Sequence, residues 1–139
     1  MALIEWNDTM SVQVAAMDDE HLHLIRLLNE LHAAVVAGRD RESLLKTFEG
    51  LAVYTVYHFA GEELLMREVG YPQFDHHVRQ HQALLAEVQA LKEKFEISGL
   101  EGVSSEVIEF LRRWLLTHIC INDRLYGRFI AQKTAAGTS

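Results

Sequence analysis

Five histidines and two carboxylates fall at spacings a helix can bring together: His21, His58 with Glu62, His77 with His81, and His118 with Asp123. Imidazole and carboxylate donors projecting from facing helices are how bundle proteins hold paired iron. Residues four apart lie about 40° apart around a helix, so His58 with Glu62 and His77 with His81 each present two donors on one face. A lone pair of this kind is more often solvated than metal-binding. Here His58 is in phase with Leu51, Tyr54 and Leu65, and His81 with Leu84, Leu85 and Val88, so both pairs point into an apolar core. Burying these groups without partners would cost several kcal/mol, which two shared metal ions would remove.

His118 and Asp123 are five residues apart and diverge by roughly 140° on a regular helix. Two readings are open. Side-by-side metals are reached from both flanks of the helix, or the helix widens locally in π fashion near Cys120 to Asn122.

The elements that must position these residues are helices, since apolar positions recur every three or four residues and Pro72 is the only proline. The first helix starts at Asp18 as N-cap, turns Leu24, Ile25, Leu28, Leu31 and Val35 inward, and stops at Gly38. The second follows Asp40 and ends at Val69-Gly70-Tyr71-Pro72, where a left-handed glycine and a proline block continuation. The third carries His77, His81, Leu84, Val88, Leu91 and Phe95 and ends before Gly99. Ser104 or Ser105 caps the fourth, which presents Val107, Leu111, Trp114, Leu115, His118 and Leu125. Short connections between long helices predict an all-α, antiparallel up-down-up-down four-helix bundle. The expected organisation is one domain over 1–139: an N-terminal arm at 1–17 that packs through Trp6, a bundle at 18–130, and a flexible tail at 131–139. No exposed apolar stripe stands out.

The chain has 139 residues, enough for one core without staples. Its charge is −7 (13 basic, 20 acidic) with no Lys/Arg cluster, which argues against a nucleic-acid partner. A single cysteine, Cys120, precludes an internal disulfide and reads as a small core filler turned away from the metals. The first residues lack a signal-peptide pattern, and the longest apolar stretch, Leu51 to Ala60, is too short to span a bilayer. The expectation is a cytoplasmic protein with no membrane insertion.

Four motifs carry a resemblance: Asp18-Asp19-Glu20-His21, His58-Phe59-Ala60-Gly61-Glu62-Glu63, His77-Val78-Arg79-Gln80-His81, and His118-Ile119-Cys120-Ile121-Asn122-Asp123 followed by Tyr126. With these the chain resembles the bacterial hemerythrins from Trp6 to about Phe129. The resemblance implies two iron ions, cycling between ferrous and ferric, joined by an oxo or hydroxo bridge. His77, His81 and His118 would ligate one iron and His21 and His58 the other, with Glu62 and Asp123 bridging both. The second iron would be one ligand short, leaving a position for dioxygen. It also implies a dry pocket over that iron, lined by Leu24, Phe59, Trp114 and Ile119.

Two positions depart from expectation. Glu20 stands where the family often has glutamine and bears on hydrogen bonding near the pocket. Gly61 lies inside a helix, where glycine costs about 1 kcal/mol relative to alanine, and calls for close packing or local flexibility. Tyr126 is one turn beyond Asp123, placed either to support a bridging carboxylate or to close the bundle end. His23, His76 and Glu63 are expected at the surface and His32 half-buried.

Five histidines against two carboxylates make a mostly neutral shell. Diiron sites that oxidise substrates more often carry four carboxylates and two histidines. The reading is therefore reversible dioxygen binding for transport, storage or buffering rather than enzymatic turnover. A diiron oxidase or peroxidase, or an oxygen or redox sensor, would use the same centre. Oligomeric state and protein partners are not legible.

Overall fold

The computed structural model describes residues 3–98 and 105–137, and every regular element among them is helical. A 3-10 turn at Asp8–Met10 precedes α1 (Ala15–Val36), α2 (Arg41–Val69), α3 (Phe74–Ser98) and α4 (Ser105–Thr117). A π-helical segment, His118–Asp123, then leads directly into α5 (Arg124–Gly137). The fourth rod of the bundle is thus continuous from Ser105 to Gly137, and the rods run up-down-up-down. α2 packs on both α1 and α3, and α4 packs on α1.

The helix ends follow local chemistry. Asp40 caps α2, its carboxylate accepting the Ser43 N–H at 2.8 Å. Gly70 closes α2 with φ 68° and ψ 41°, a left-handed conformation open to glycine without strain. The start of α1 differs from expectation. The helix begins at Ala15, and Asp18 lies in its first turn instead of capping it. There Asp18 accepts the Val12 N–H at 2.8 Å and the Ser11 hydroxyl at 2.6 Å, so a residue resembling a cap anchors the arm. Ser104 lies outside the described residues.

The residues before α1 pack against the bundle. Ile4 exchanges two hydrogen bonds with the Asn29 side chain, at 3.0 and 2.9 Å, and Trp6 rests half-buried on the main core. Further along, Val12 crosses Gly127 of α5 so closely that a Cβ there would lie 2.1 Å from the Val12 carbonyl oxygen. The C-terminal expectation needs correction, because the segment assigned to a tail from 131 is helical as far as Gly137. Lys133 binds the Val69 carbonyl from that extra turn.

Leu24, Ile25, Leu28 and Leu31 of α1 meet Phe48, Leu51 and Phe59 of α2 in the main core, with Leu111, Leu115 and Ile119 from the fourth rod. A smaller cluster of Val12, Met17, Met66, Tyr71 and Tyr126 closes the far end. The outward side of α2 also carries apolar groups, contrary to expectation: Val53, Val56, Tyr57 and Leu64 are exposed. Among the described residues, no helix is long and apolar enough to cross a membrane.

Candidate metal centre

The seven residues singled out in the sequence converge between the two apolar clusters. His21, His58, Glu62 and Asp123 are 0 % exposed and the other three histidines no more than 3 %, so bulk solvent does not reach them. α1 supplies His21, α2 supplies His58 and Glu62, and α3 supplies His77 and His81. His118 and Asp123 open and close the π segment. In π geometry hydrogen bonds run from i to i+5, so residues five apart become neighbours on one face. Of the two open readings, the structure shows the local widening.

All five histidines aim Nε2 at the two carboxylates. Glu62 Oε1 is 3.3 Å from His58, 3.2 Å from His81 and 3.0 Å from His118, and Glu62 Oε2 is 3.3 Å from His21. Asp123 Oδ2 is 2.8 Å from His21 and 3.0 Å from His118, while Oδ1 is 3.0 Å from His77. Few of these contacts are hydrogen bonds. Nε2 of His58, His77 and His81 and both Asp123 oxygens are buried without a hydrogen-bond partner. Buried orphan donors and acceptors are costly and rare, and here they face one another.

A cation fits that arrangement. Two donors at right angles on one ion, each at about 2.1 Å, are about 3 Å apart, which is the spacing seen here. The donor atoms form two groups, each within 4.8 Å: Glu62, His77, His81, His118 and Asp123 in one, and His21, His58, Glu62 and Asp123 in the other. Both carboxylates belong to both groups.

Electrostatics reinforce the pattern. Burial presses His58 towards neutrality, yet the Glu62 charge and the bond to Glu20 outweigh it and raise its pKa to about 9. Burial is likewise outweighed at His118 by the Asp123 and Glu62 charges, giving about 10. His21 is raised in the same way, through Asp123 and Glu62. Glu62 is held well below the ordinary carboxylate range because His58 and His118 overcome its burial. Asp123 is also lowered, burial and the Glu62 charge opposing and His118 prevailing. Without a cation the cluster therefore favours protons on His21, His58 and His118.

Three neighbours orient these donors. Glu20 Oε1 lies 2.8 Å from His58 Nδ1, and Glu63 Oε2 lies 3.1 Å from His81 Nδ1. Each carboxylate holds a proton on Nδ1 and leaves Nε2 free to face the centre. The Tyr126 hydroxyl, fully buried, donates to Glu62 Oε2 at 2.6 Å. Burial and the Glu62 charge push its pKa well up, so it stays a donor. Tyr126 thus supports the carboxylate as well as closing the bundle end. Glu63 corrects the expectation of a solvent-facing side chain. The signal was available in its position next to Glu62, one step around α2 towards α3.

Phe59 stacks on His81 with ring centroids 3.8 Å apart and planes 2° from parallel. Trp114 lies nearly parallel to His118 at 6.3 Å. Leu24 and Ile119 are fully buried in the same core. Phe59 and Trp114 therefore cover histidines of the larger donor group, although Phe59 also lies 6.0 Å from His58. His23 and His76 are exposed and His32 half-buried, as expected. The side chain of Cys120 lies outside the described residues. Gly61 needs no close approach, since the nearest atom to an added Cβ is Glu20 Oε1 at 3.5 Å.

Fold and site together define a four-helix-bundle protein with a buried histidine–carboxylate cluster able to hold cations. Residues 12–130 match the model of the hemerythrin HHE cation binding domain. The chain is 34% identical over 127 residues to the bacteriohemerythrin of Stenotrophomonas maltophilia, covering 91% of this chain and 81% of that one. The same identity holds over 128 residues with the bacteriohemerythrin of Methylococcus capsulatus, at 91% and 96% coverage. A crystal structure of wild-type hemerythrin superposes with a TM-score of 0.84 at 33% identity, covering 91% of this chain and 97% of that one. The chain belongs to the hemerythrin family.

Proposed function

We propose that this protein binds dioxygen reversibly at a paired non-haem iron centre, to carry, store or buffer it. The observation that supports this best is the division of the inward-facing Nε2 atoms, three and two, around two carboxylates common to both groups. His77, His81 and His118 would hold one iron and His21 and His58 the other, with Glu62 and Asp123 shared by both. Bound there, paired iron would supply the electrons that dioxygen binding needs.

The protein's own contribution is positioning and exclusion. Glu20 and Glu63 fix the tautomers of His58 and His81, one histidine in each donor group. Tyr126 holds Glu62 in place by its hydroxyl. Phe59 and Trp114 lie against His81 and His118, and with the buried Leu24 and Ile119 they would supply the apolar lining that keeps bulk water from the centre. Neutral imidazoles outnumber the carboxylates, so the shell favours return to the ferrous state over accumulation of highly oxidised iron.

The test is spectroscopic. Loaded with ferrous iron under anaerobic conditions and then exposed to air, the protein should gain a visible absorption that vanishes on degassing and returns over repeated cycles. One irreversible oxidation would replace this reading with a diiron oxidase or peroxidase. Metal analysis should find two irons per chain.

A further inference from the structure

The outward face of α2 is unlike the other exposed surfaces. Among the described residues, six large apolar side chains are exposed, and four of them share this face: Val53 at 71%, Val56 at 54%, Tyr57 at 62% and Leu64 at 57%. Gly50 and Ala60, also exposed, lie in the same stripe. At 1.5 Å per residue the stripe from Gly50 to Leu64 is about 21 Å long. A cleft of about 700 Å³ lined by His23, Leu27, Tyr54 and Tyr57 flanks it towards α1. Another of about 380 Å³, lined by Ala52, Val56, Gln89 and Lys92, flanks it towards α3. Soluble monomers rarely expose a contiguous apolar ridge of this kind.

We infer that this face is an interface between two copies of the chain, with the α2 helices antiparallel across a two-fold axis at Tyr57. The charges at its ends indicate the occupant. Lys46 and Glu68 are both exposed and lie on this face at opposite ends of the stripe. Their numbers sum to 46 + 68 = 114, twice 57, so a two-fold axis at Tyr57 sets each Lys46 opposite Glu68 of the second copy. The same sum, 50 + 64 = 114, brings Leu64 over Gly50, whose missing side chain leaves it a socket. Between Lys46 and Glu68 the face is locally neutral, Lys46 and Arg67 balancing Glu49 and Glu68, so the overall charge of −7 does not oppose contact here. A face that complements its own rotated image is what a closed two-fold dimer needs.

Light scattering on the full-length, iron-loaded protein tests this. The mass should rise from 15.9 kDa towards twice that value as concentration increases from micromolar to submillimolar. Val53→Asp should weaken association at least about tenfold while leaving helicity and iron content unchanged. Lys46→Glu and Glu68→Lys should each weaken it, and the double variant should restore it. A protein that stays monomeric throughout, a dimer insensitive to Val53→Asp, or a double variant that fails to recover would overturn the inference. So would a monomer that binds anionic lipid vesicles through this face.

Discussion

Glu62 receives Nε2 atoms from four histidines and the hydroxyl of Tyr126, so no other side chain of the cluster touches as many partners. Replacing it with alanine removes a carboxylate from both donor groups, and Glu62→Ala is expected to lose paired iron. His23→Ala alters an exposed ring and should keep two irons per chain by metal analysis; equal loss from both would contradict the assignment. Protonation gives a second residue-scale expectation, for the metal-free protein. His58 and His118 are raised from 6.5 to about 9 and about 10, so the stability they contribute is complete below 6.5 and lost as pH rises through those values. Glu62 and Asp123 are lowered, so their contribution is present above the ordinary carboxylate range of about 4 and lost as pH falls below it. Urea midpoints of the metal-free protein should therefore peak at about pH 5 to 6.5 and decline towards pH 10. A midpoint that climbs over the alkaline range would contradict this. Binding of iron at the proposed centre would displace the protons of His21, His58 and His118 and should acidify a weakly buffered solution.

At the scale of elements, glycines separate two packing situations. Gly61 has space for a methyl group, so Gly61→Ala should raise stability by up to about 1 kcal/mol in chemical denaturation. Gly127 has none, because Val12 passes over it. Gly127→Ala should displace the arm and destabilise by at least about 1 to 3 kcal/mol, and an unchanged denaturation midpoint would refute that close approach. Much of this level could be read from the chain. Asp40, Gly70 and Pro72 act where their backbone preferences place them, and the four-residue histidine spacings share faces as regular helix geometry requires. The five-residue step could not be resolved, because widening a helix depends on what the ring and carboxylate meet across the bundle. Asp18 was misleading for a similar reason: its acceptor is used by the arm, a contact that exists only after folding. The stripe on α2 was hidden because that helix is apolar on both sides, which blurs the contrast that periodicity relies on.

At the scale of the whole molecule, the cluster joins parts of the chain that are far apart in sequence. His21 and Asp123 are separated by 123 − 21 = 102 residues yet lie 2.8 Å apart. Each donor group draws on at least three of the four rods, so neither is complete until the last rod has docked. Delaying ferrous iron after the start of refolding is therefore expected to leave the rate of helix recovery unchanged, with iron capture following it. Earlier capture, seen as iron-dependent acceleration of the first phase, would count against this order.

The π segment carries a consequence for synthesis. Growth proceeds from the N-terminus, so the emerging chain displays His21, His58, Glu62, His77 and His81 before His118 and Asp123 exist. The last two donors sit at either end of the widened turn and emerge together, after the other five. Loading of the proposed centre is thereby postponed until the last rod has emerged, and a chain truncated before His118 is expected to fold its first three rods without capturing paired iron.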